Sequence, residues 1–229
     1  MPRSRSQPPA DLTRSVEDYL KAVFHLTEGG DAASTGGLAD QLDLAAASVS
    51  GMVKRLADQG LLQHEPYKGV TLTRAGRREA LRILRRHRLI EAYLVRFLGY
   101  TWDTVHDEAE RLEHAVSDEL VARMAEALGH PRFDPHGDPI PTADGEIEVR
   151  RTMPLTDVPA GQAVTIVRVD TEAGDRLRWF AEQGLVPGTV VEVVEHQPFD
   201  GPVTVRRGRS RQVVGRDLAS QLLCLREAR

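Results

Sequence analysis

Six side chains able to hold a cation lie between His87 and His114: His87, Glu91, His106, Glu110, Glu113 and His114. An α-helix turns about 100° per residue. In VHDEAERLEHAVSDEL (105–120) that turn gathers His106, Glu110, Glu113 and His114 within an arc of about 100°. Val105, Ala109, Leu112, Val116 and Leu120 form an apolar stripe beside them. His87 and Glu91 are one turn apart in a second helical stretch, on the face that carries Ala80, Leu84, Leu94 and Leu98. Carboxylates and imidazoles at the edge of a packed interface need something to neutralise them. Arginine pairing is one solution and a divalent metal is the other. Spacings of i, i+3 and i, i+4 suit ligands on one helix, and their repetition on two inward faces favours the metal. The donors are nitrogen and oxygen only, since the single cysteine, Cys224, is remote in sequence. Such a set fits Mn2+ or high-spin Fe2+ better than Cu+ or a structural zinc. A metal-dependent hydrolase is disfavoured, because the sequence offers no activated nucleophile and no phosphate-cradling glycine loop.

These residues need a scaffold, and the chain of 229 residues is long enough for one to three domains. No apolar run approaches the ~18 residues of a membrane span. The opening MPRSRSQPPADLTR is rich in Pro, Ser and Arg and reads as a mobile tail (1–14) rather than a signal peptide. One cysteine excludes an internal disulfide framework and makes a cytoplasmic address the default expectation. Residues 1–90 carry 14 Lys+Arg against 10 Asp+Glu, and residues 91–229 carry 16 against 24. A basic front and an acidic back suit a chain that meets a polyanion with one end and cations with the other.

Residues 15–76 read as helix, helix, turn, helix and β-hairpin, the order of a winged helix-turn-helix. Thr35 opens the first helix of the pair. The second, AASVSGMVKRLADQG, buries Val49, Met52, Val53 and Leu56 and is closed by Gly60 as its C′ residue. Its exposed start carries Ser48, Ser50, Lys54 and Arg55, suited to phosphates and base edges. Tyr67 and Lys68 form the hairpin tip. Residues 73–99 read as one long helix, with seven arginines between Arg74 and Arg88, mostly on its outer side. A further helix covers 105–129. HPRFDPHGDPIPTADGE is dense in Pro, Gly and Asp and marks a linker. Several short strands follow, enough for a small barrel.

On SVEDYL, VSGMVKRL, RRHRLIEAYL, VHDEAERLEHAVSDEL and GDPIP, the chain resembles the diphtheria-toxin-repressor family of metal-dependent transcriptional regulators. The resemblance implies a mainly α protein with a winged helix-turn-helix DNA-binding domain (15–76) and a helical dimerisation and metal-binding domain (77–141). A linker (142–159) and a C-terminal SH3-like (FeoA-like) β-barrel domain (160–229) would follow. It implies a homodimer on a palindromic double-stranded DNA operator, with no membrane partner and two metal sites per subunit. Carried over by position, the primary site is Asp18, Glu110, Glu113 and His114. The ancillary site is His87, Glu91 and His106, joined by Glu172 and Asp175 from the third domain. Iron-responsive relatives carry Met and Cys where this chain has Asp18 and Glu110, so the resemblance points to a manganese-responsive repressor of metal-transport genes. An iron-dependent repressor is the alternative. Two departures stand out. Lys21 replaces a further glutamate of the short two-domain manganese regulators, which argues against their closely spaced metal pair. Gly51 replaces a base-contacting glutamine, which leaves more of the readout to DNA shape and to Ala47 and Ser48.

Overall fold

The computed structural model describes residues 12–65 and 67–226, so most of the tail read at 1–14 lies outside the described residues. The chain divides into two compact units, 1–85 with 143–146 and 86–142 with 147–229.

The first unit is the winged helix. Helix α1 (Arg14–Thr27) buries Val16, Tyr19, Leu20 and Val23. Helices α2 (Thr35–Leu42) and α3 (Ala46–Asp58) follow, then the antiparallel hairpin of β1 (Leu62–Glu65) and β2 (Gly69–Leu72). Thr35 is not the cap of α2. Ser34 stands before it in extended conformation, and its Oγ accepts from the Gly37 N–H at 2.9 Å. Gly60 takes φ 73° just after α3, the left-handed geometry that closes a helix cheaply only with glycine. Gly76 lies where a Cβ would overlap the Leu61 carbonyl, so the hairpin closes down on the start of α4 (Arg74–Leu98). The boundary between the two units falls within α4, after Arg85.

In the second unit the stretch 105–129 is two helices rather than one. Helix α5 (Val105–Leu112) ends at Glu113, and α6 (Asp118–Ala127) begins after Ser117. The Ser117 Oγ accepts from the Leu120 N–H at 3.2 Å, and Asp118 and Glu119 sit in the first turn, where the helix dipole favours acids. That local start outcompetes continuation of α5. Leu120 and Leu98, expected to face inward, are 43% and 61% exposed in the single chain, and Phe97 is 49% exposed. Two of the seven arginines also depart from the outer side of α4: Arg86 and Arg88 are buried. Arg86 reaches Asp118 at 3.3 Å, and Arg88 donates to the Pro139 carbonyl at 2.7 Å.

The C-terminal part is an antiparallel sheet of strands β3 (Met153–Pro154), β4 (Ala163–Val169), β5 (Val190–His196), β6 (Val203–Arg207), β7 (Ser210–Val214) and β8 (Leu222–Arg226). Their spatial order is β3-β8-β4-β5-β6-β7, the SH3-like arrangement expected of this domain. Strand β3 falls within the stretch read as linker. Helices α7 (Gly174–Gln183) and α8 (Arg216–Ser220) accompany the sheet. A bulge in β4 between Ile166 and Arg168 breaks strict alternation, so Val169 rather than Arg168 is buried. The core holds Ile166, Phe180, Val193 and Leu222, with Cys224 among them.

The loop before this domain is bound to it. The Val169 N–H donates to the His136 carbonyl at 2.9 Å, and Arg168 Nε lies 3.0 Å from Asp138. Gly137 takes φ 89°, and a Cβ there would overlap the Val167 carbonyl, so only glycine lets the loop lie this close to β4.

Candidate functional site

Three elements of the second unit converge on Glu91. It projects from α4 one turn after His87, and its Oε1 lies 3.0 Å from His87 Nε2 and 3.3 Å from Nδ1 of His106 on α5. The other nitrogen of His87, Nδ1, lies 2.5 Å from Glu113 Oε2 and 3.7 Å from Glu110 Oε1. His106 Nε2 lies 3.5 Å from Glu172 of the third domain and 3.9 Å from Glu110. His114 Nε2 is 3.4 Å from Glu113 Oε1. Glu113, at the C-cap of α5, is fully buried; His87 and Glu91 are also buried, while Glu110, His106 and His114 are half-buried.

Carboxylate oxygens therefore face both ring nitrogens of His87 and both of His106. A neutral imidazole has one N–H and one lone pair, so each ring can satisfy only one such contact as a donor. The other contact sets lone pair against lone pair unless a second proton or a metal lies between them. This is the electrostatic signature of a cation site. His87, His106 and Glu110 each offer an atom within 4.8 Å of the others, as do Glu110, Glu113 and His114 among themselves. Burial pushes the Glu91 carboxyl up, but the charge of His87 and hydrogen bonds from His106, His136 and His87 outweigh it and hold it well below the usual carboxylate range.

Of the other expected ligands, Asp18 sits half-buried on α1 in the first unit, with Arg14 Nε at 4.0 Å from its Oδ2. Glu172 joins His106 across the third domain. Asp175 does not join them: its Oδ1 accepts from the Arg176 N–H at 2.8 Å in the first turn of α7. Cys224 is buried in the third-domain core, and burial pushes its thiol up to about 12, which fits a packing role and not a metal ligand.

Sequence reasoning missed two residues, Asp134 and His136, by reading their segment as linker. Both are buried against Glu91. His136 Nδ1 lies 3.6 Å from Glu91 Oε2, and its ring stacks on Trp102 at 5.7 Å between centroids. Burial works against the charged ring of His136, but the hydrogen bond and charge of Glu91, with Asp134, raise it to about 9. Asp134 is pushed up to about 8 by burial and by the like charges of Asp138 and Glu91, against the pull of Arg88 and His136. The one sequence signal was a histidine two residues from an aspartate directly before GDPIP.

In the first unit, Ala47, Ser48, Ser50, Gly51, Lys54 and Arg55 are all exposed on α3, while Val49, Val53 and Leu56 face the core. Ser50 Oγ donates back to the Ala46 carbonyl at 2.9 Å. Thr35 is half-buried at the start of α2. Tyr67 stands fully exposed at the hairpin tip with φ 65°, and Lys68 pairs with Glu65 at 2.7 Å. A helix surface with hydroxyl and basic side chains, flanked by a wing bearing Tyr and Lys, matches what duplex DNA requires.

Residues 11–70 match the family model described as the iron dependent repressor N-terminal DNA binding domain. Residues 73–142 match its metal binding and dimerisation domain, and residues 153–225 match the FeoA domain. The chain is 32% identical over 224 residues to the iron-dependent repressor IdeR of Mycobacterium tuberculosis, covering 91% of this chain and 96% of that one. It is 40% identical, with a TM-score of 0.87, to a solved manganese-dependent transcriptional repressor in complex with manganese, covering 93% of this chain and all of that one. The solved manganese regulator SloR is 33% identical, with a TM-score of 0.77, covering 94% of this chain and all of that one.

Proposed function

The chain belongs to the diphtheria-toxin-repressor family of metal-dependent transcriptional regulators, and we propose that it is a manganese-activated repressor of metal-transport genes. The observation that carries this reading is the donor set. His87, Glu91, His106, Glu110, Glu113 and His114 are gathered around buried carboxylates with no thiolate among them. Carboxylate-rich donors favour Mn2+ over softer ions. Asp18 and Glu110 support it further, standing where the family resemblance puts Met and Cys in iron-responsive members. The iron-dependent alternative rests on relatives such as the mycobacterial repressor.

A divalent cation would supply the positive charge these carboxylates lack. By the family resemblance, Asp18, Glu110, Glu113 and His114 would hold the primary ion. His87, Glu91, His106 and Glu172 would hold the ancillary ion. Phe97, Leu98 and Leu120 leave apolar surface for a second copy of the chain. In the homodimer, Ser48, Ser50, Lys54 and Arg55 of each α3 enter successive major grooves, whose half-sites lie about 34–36 Å apart. The ligands shift that arrangement only by binding metal more tightly in the docked state than in the free one. Action on DNA fits a cytoplasmic protein, and no helix among the described residues is long and apolar enough to cross a membrane.

The test is an operator-binding titration with Mn2+, Fe2+ under anaerobic conditions, and chelator. Tight binding with Mn2+ at concentrations where Fe2+ fails is expected. Equal operator affinity with and without chelator overturns the reading.

A further inference from the structure

The third domain concentrates positive charge at one edge of its sheet. Between Arg206 and Arg216 the chain carries five arginines and no acid, inside the stretch 91–229 whose overall balance is acidic. Strands β6 and β7 form a hairpin there, with Arg206 opposite Arg211 and Arg207 opposite Ser210. Gly208 and Arg209 make the turn, and Gly208 takes φ 58°, the left-handed geometry that a two-residue hairpin turn asks of its glycine. Val203, Val205 and Val214 lie in the domain core. Alternation therefore puts Arg206 and Arg211 side by side on the outer face, with Arg209 beyond them at the tip. Like charges directly opposite across two strands destabilise the pair unless something offsets them.

Three of the five arginines have that offset within the chain. Arg206 pairs with Glu192 of β5, and Arg216 lies 3.4 Å from Asp200. Arg207 lies across Gly184 and donates to its carbonyl at 3.4 Å, at the C-terminus of α7, where the helix dipole favours a cation. Gln212 donates to the Gln183 carbonyl at 2.9 Å, so two side chains of the hairpin grip the end of α7 and fix its position. Arg209 and Arg211 are exposed and have no carboxylate partner among the described residues. Elsewhere in the domain Arg168, Arg176 and Arg178 are each paired with an aspartate. Strand β7 is the outermost of the sheet, and charged side chains there discourage pairing with another chain. Charge of either sign serves that purpose, so protection alone does not call for two uncompensated cations beside a third.

We propose that Arg209 and Arg211, at the tip of the β6–β7 hairpin, bind backbone phosphates of duplex DNA as a contact separate from the α3 surface. The proposal rests on the functional reading above, which brings the chain to DNA and so holds phosphates at high local concentration. The guanidinium fork suits phosphate oxygens, and a backbone contact adds affinity without sequence preference.

Because the contact reads no bases, a mixed-sequence duplex several helical turns long serves as the probe. Its binding to the full chain in saturating Mn2+ is followed by fluorescence anisotropy across a KCl series. Each phosphate contact contributes a slope of about −0.9 in log K against log salt concentration. Arg209→Gln/Arg211→Gln should flatten the slope by about 1.8 per bound chain, so a fourfold rise in salt weakens the wild type about 12-fold more than the variant. Arg209→Glu/Arg211→Glu should bind more weakly still, while keeping the edge strand charged and the protein monodisperse. Both positions are remote in sequence from α3 and from the metal ligands, so Mn2+ content and thermal unfolding should match the wild type. Equal slopes and affinities in all three proteins overturn the proposal and leave the functional reading standing, with the arginines returned to edge protection or to an acidic protein partner. A wild-type chain that binds no duplex in Mn2+ overturns both.

Discussion

Two interiors of the second unit are both buried and oppositely filled. The third-domain core is Val, Leu, Ile and Phe, with one sulfur, Cys224, as its most polar side chain. The interior around Glu91 is built of imidazoles and carboxylates, with the Arg88 guanidinium at its border. Burial of the first kind needs no partner and returns stability through area removed from water. Burial of the second kind is tolerable only with charges matched, and a surplus of carboxylate marks where a cation belongs. A fold that keeps both is using one for cohesion and the other for response.

The sharpest way to break this contrast is Glu113→Ala. It removes the fully buried carboxylate that serves both His87 and His114. Mn2+-dependent operator binding should fall by more than the about 10- to 100-fold typical of substitutions outside the metal's own ligands. Fluorescence anisotropy with labelled operator measures it, and a variant that still responds to Mn2+ unmakes the contrast. Phe180→Ala in the other interior should lower stability by about 3–5 kcal/mol in urea denaturation. It should nonetheless keep the stabilisation by metal, about 2.7 kcal/mol at a Mn2+ concentration 100 times Kd. Glu113→Ala should lose that increment.

Cys224 offers a quieter comparison. Its folded-state pKa is raised, to about 12 from a reference of 9.0, so its contribution to stability is whole below pH 9 and is lost as pH rises toward 12. Native protein at pH 8 should leave a thiol reagent unconsumed, and addition of denaturant should release one reactive thiol per chain. The smallest effect belongs to the surface. Gly51 lies inside α3 with open space around its Cα, so Gly51→Ala should stabilise the winged helix by up to about 1 kcal/mol. Thermal unfolding of the metal-free protein reads this directly.

Local periodicity made much of this molecule legible. The apolar spacing of α1, α3 and α4, Gly60 after α3, and the alternation of β5 all carry their structure in a few neighbouring residues. The inward pairing of His87 with Glu91 was readable for the same reason. What escaped depended on competition or distance. The break between α5 and α6 turns on Ser117 capping a new helix in the middle of an unbroken apolar pattern. Asp134 and His136 lie in a segment whose composition says loop. Their burial comes from contacts with Trp102, Glu91 and β4, more than 25 residues away in each case. The inward turn of Arg88 is likewise decided by the Pro139 carbonyl, which no helical periodicity anticipates.

The hydrogen bond from the Val169 N–H to the His136 carbonyl, with Gly137 lying against Val167, has a practical bearing on dissection of the protein. A chain shortened to its first 150 residues would keep all but one of the donors gathered around Glu91, yet strip away the strand that seats the 134–140 turn. Such a fragment would confound loss of the SH3-like domain with collapse of the imidazole shelf beside it. Point substitutions at Gly137, which unseat the turn while sparing the barrel, are the cleaner tool for asking what that domain contributes to metal sensing.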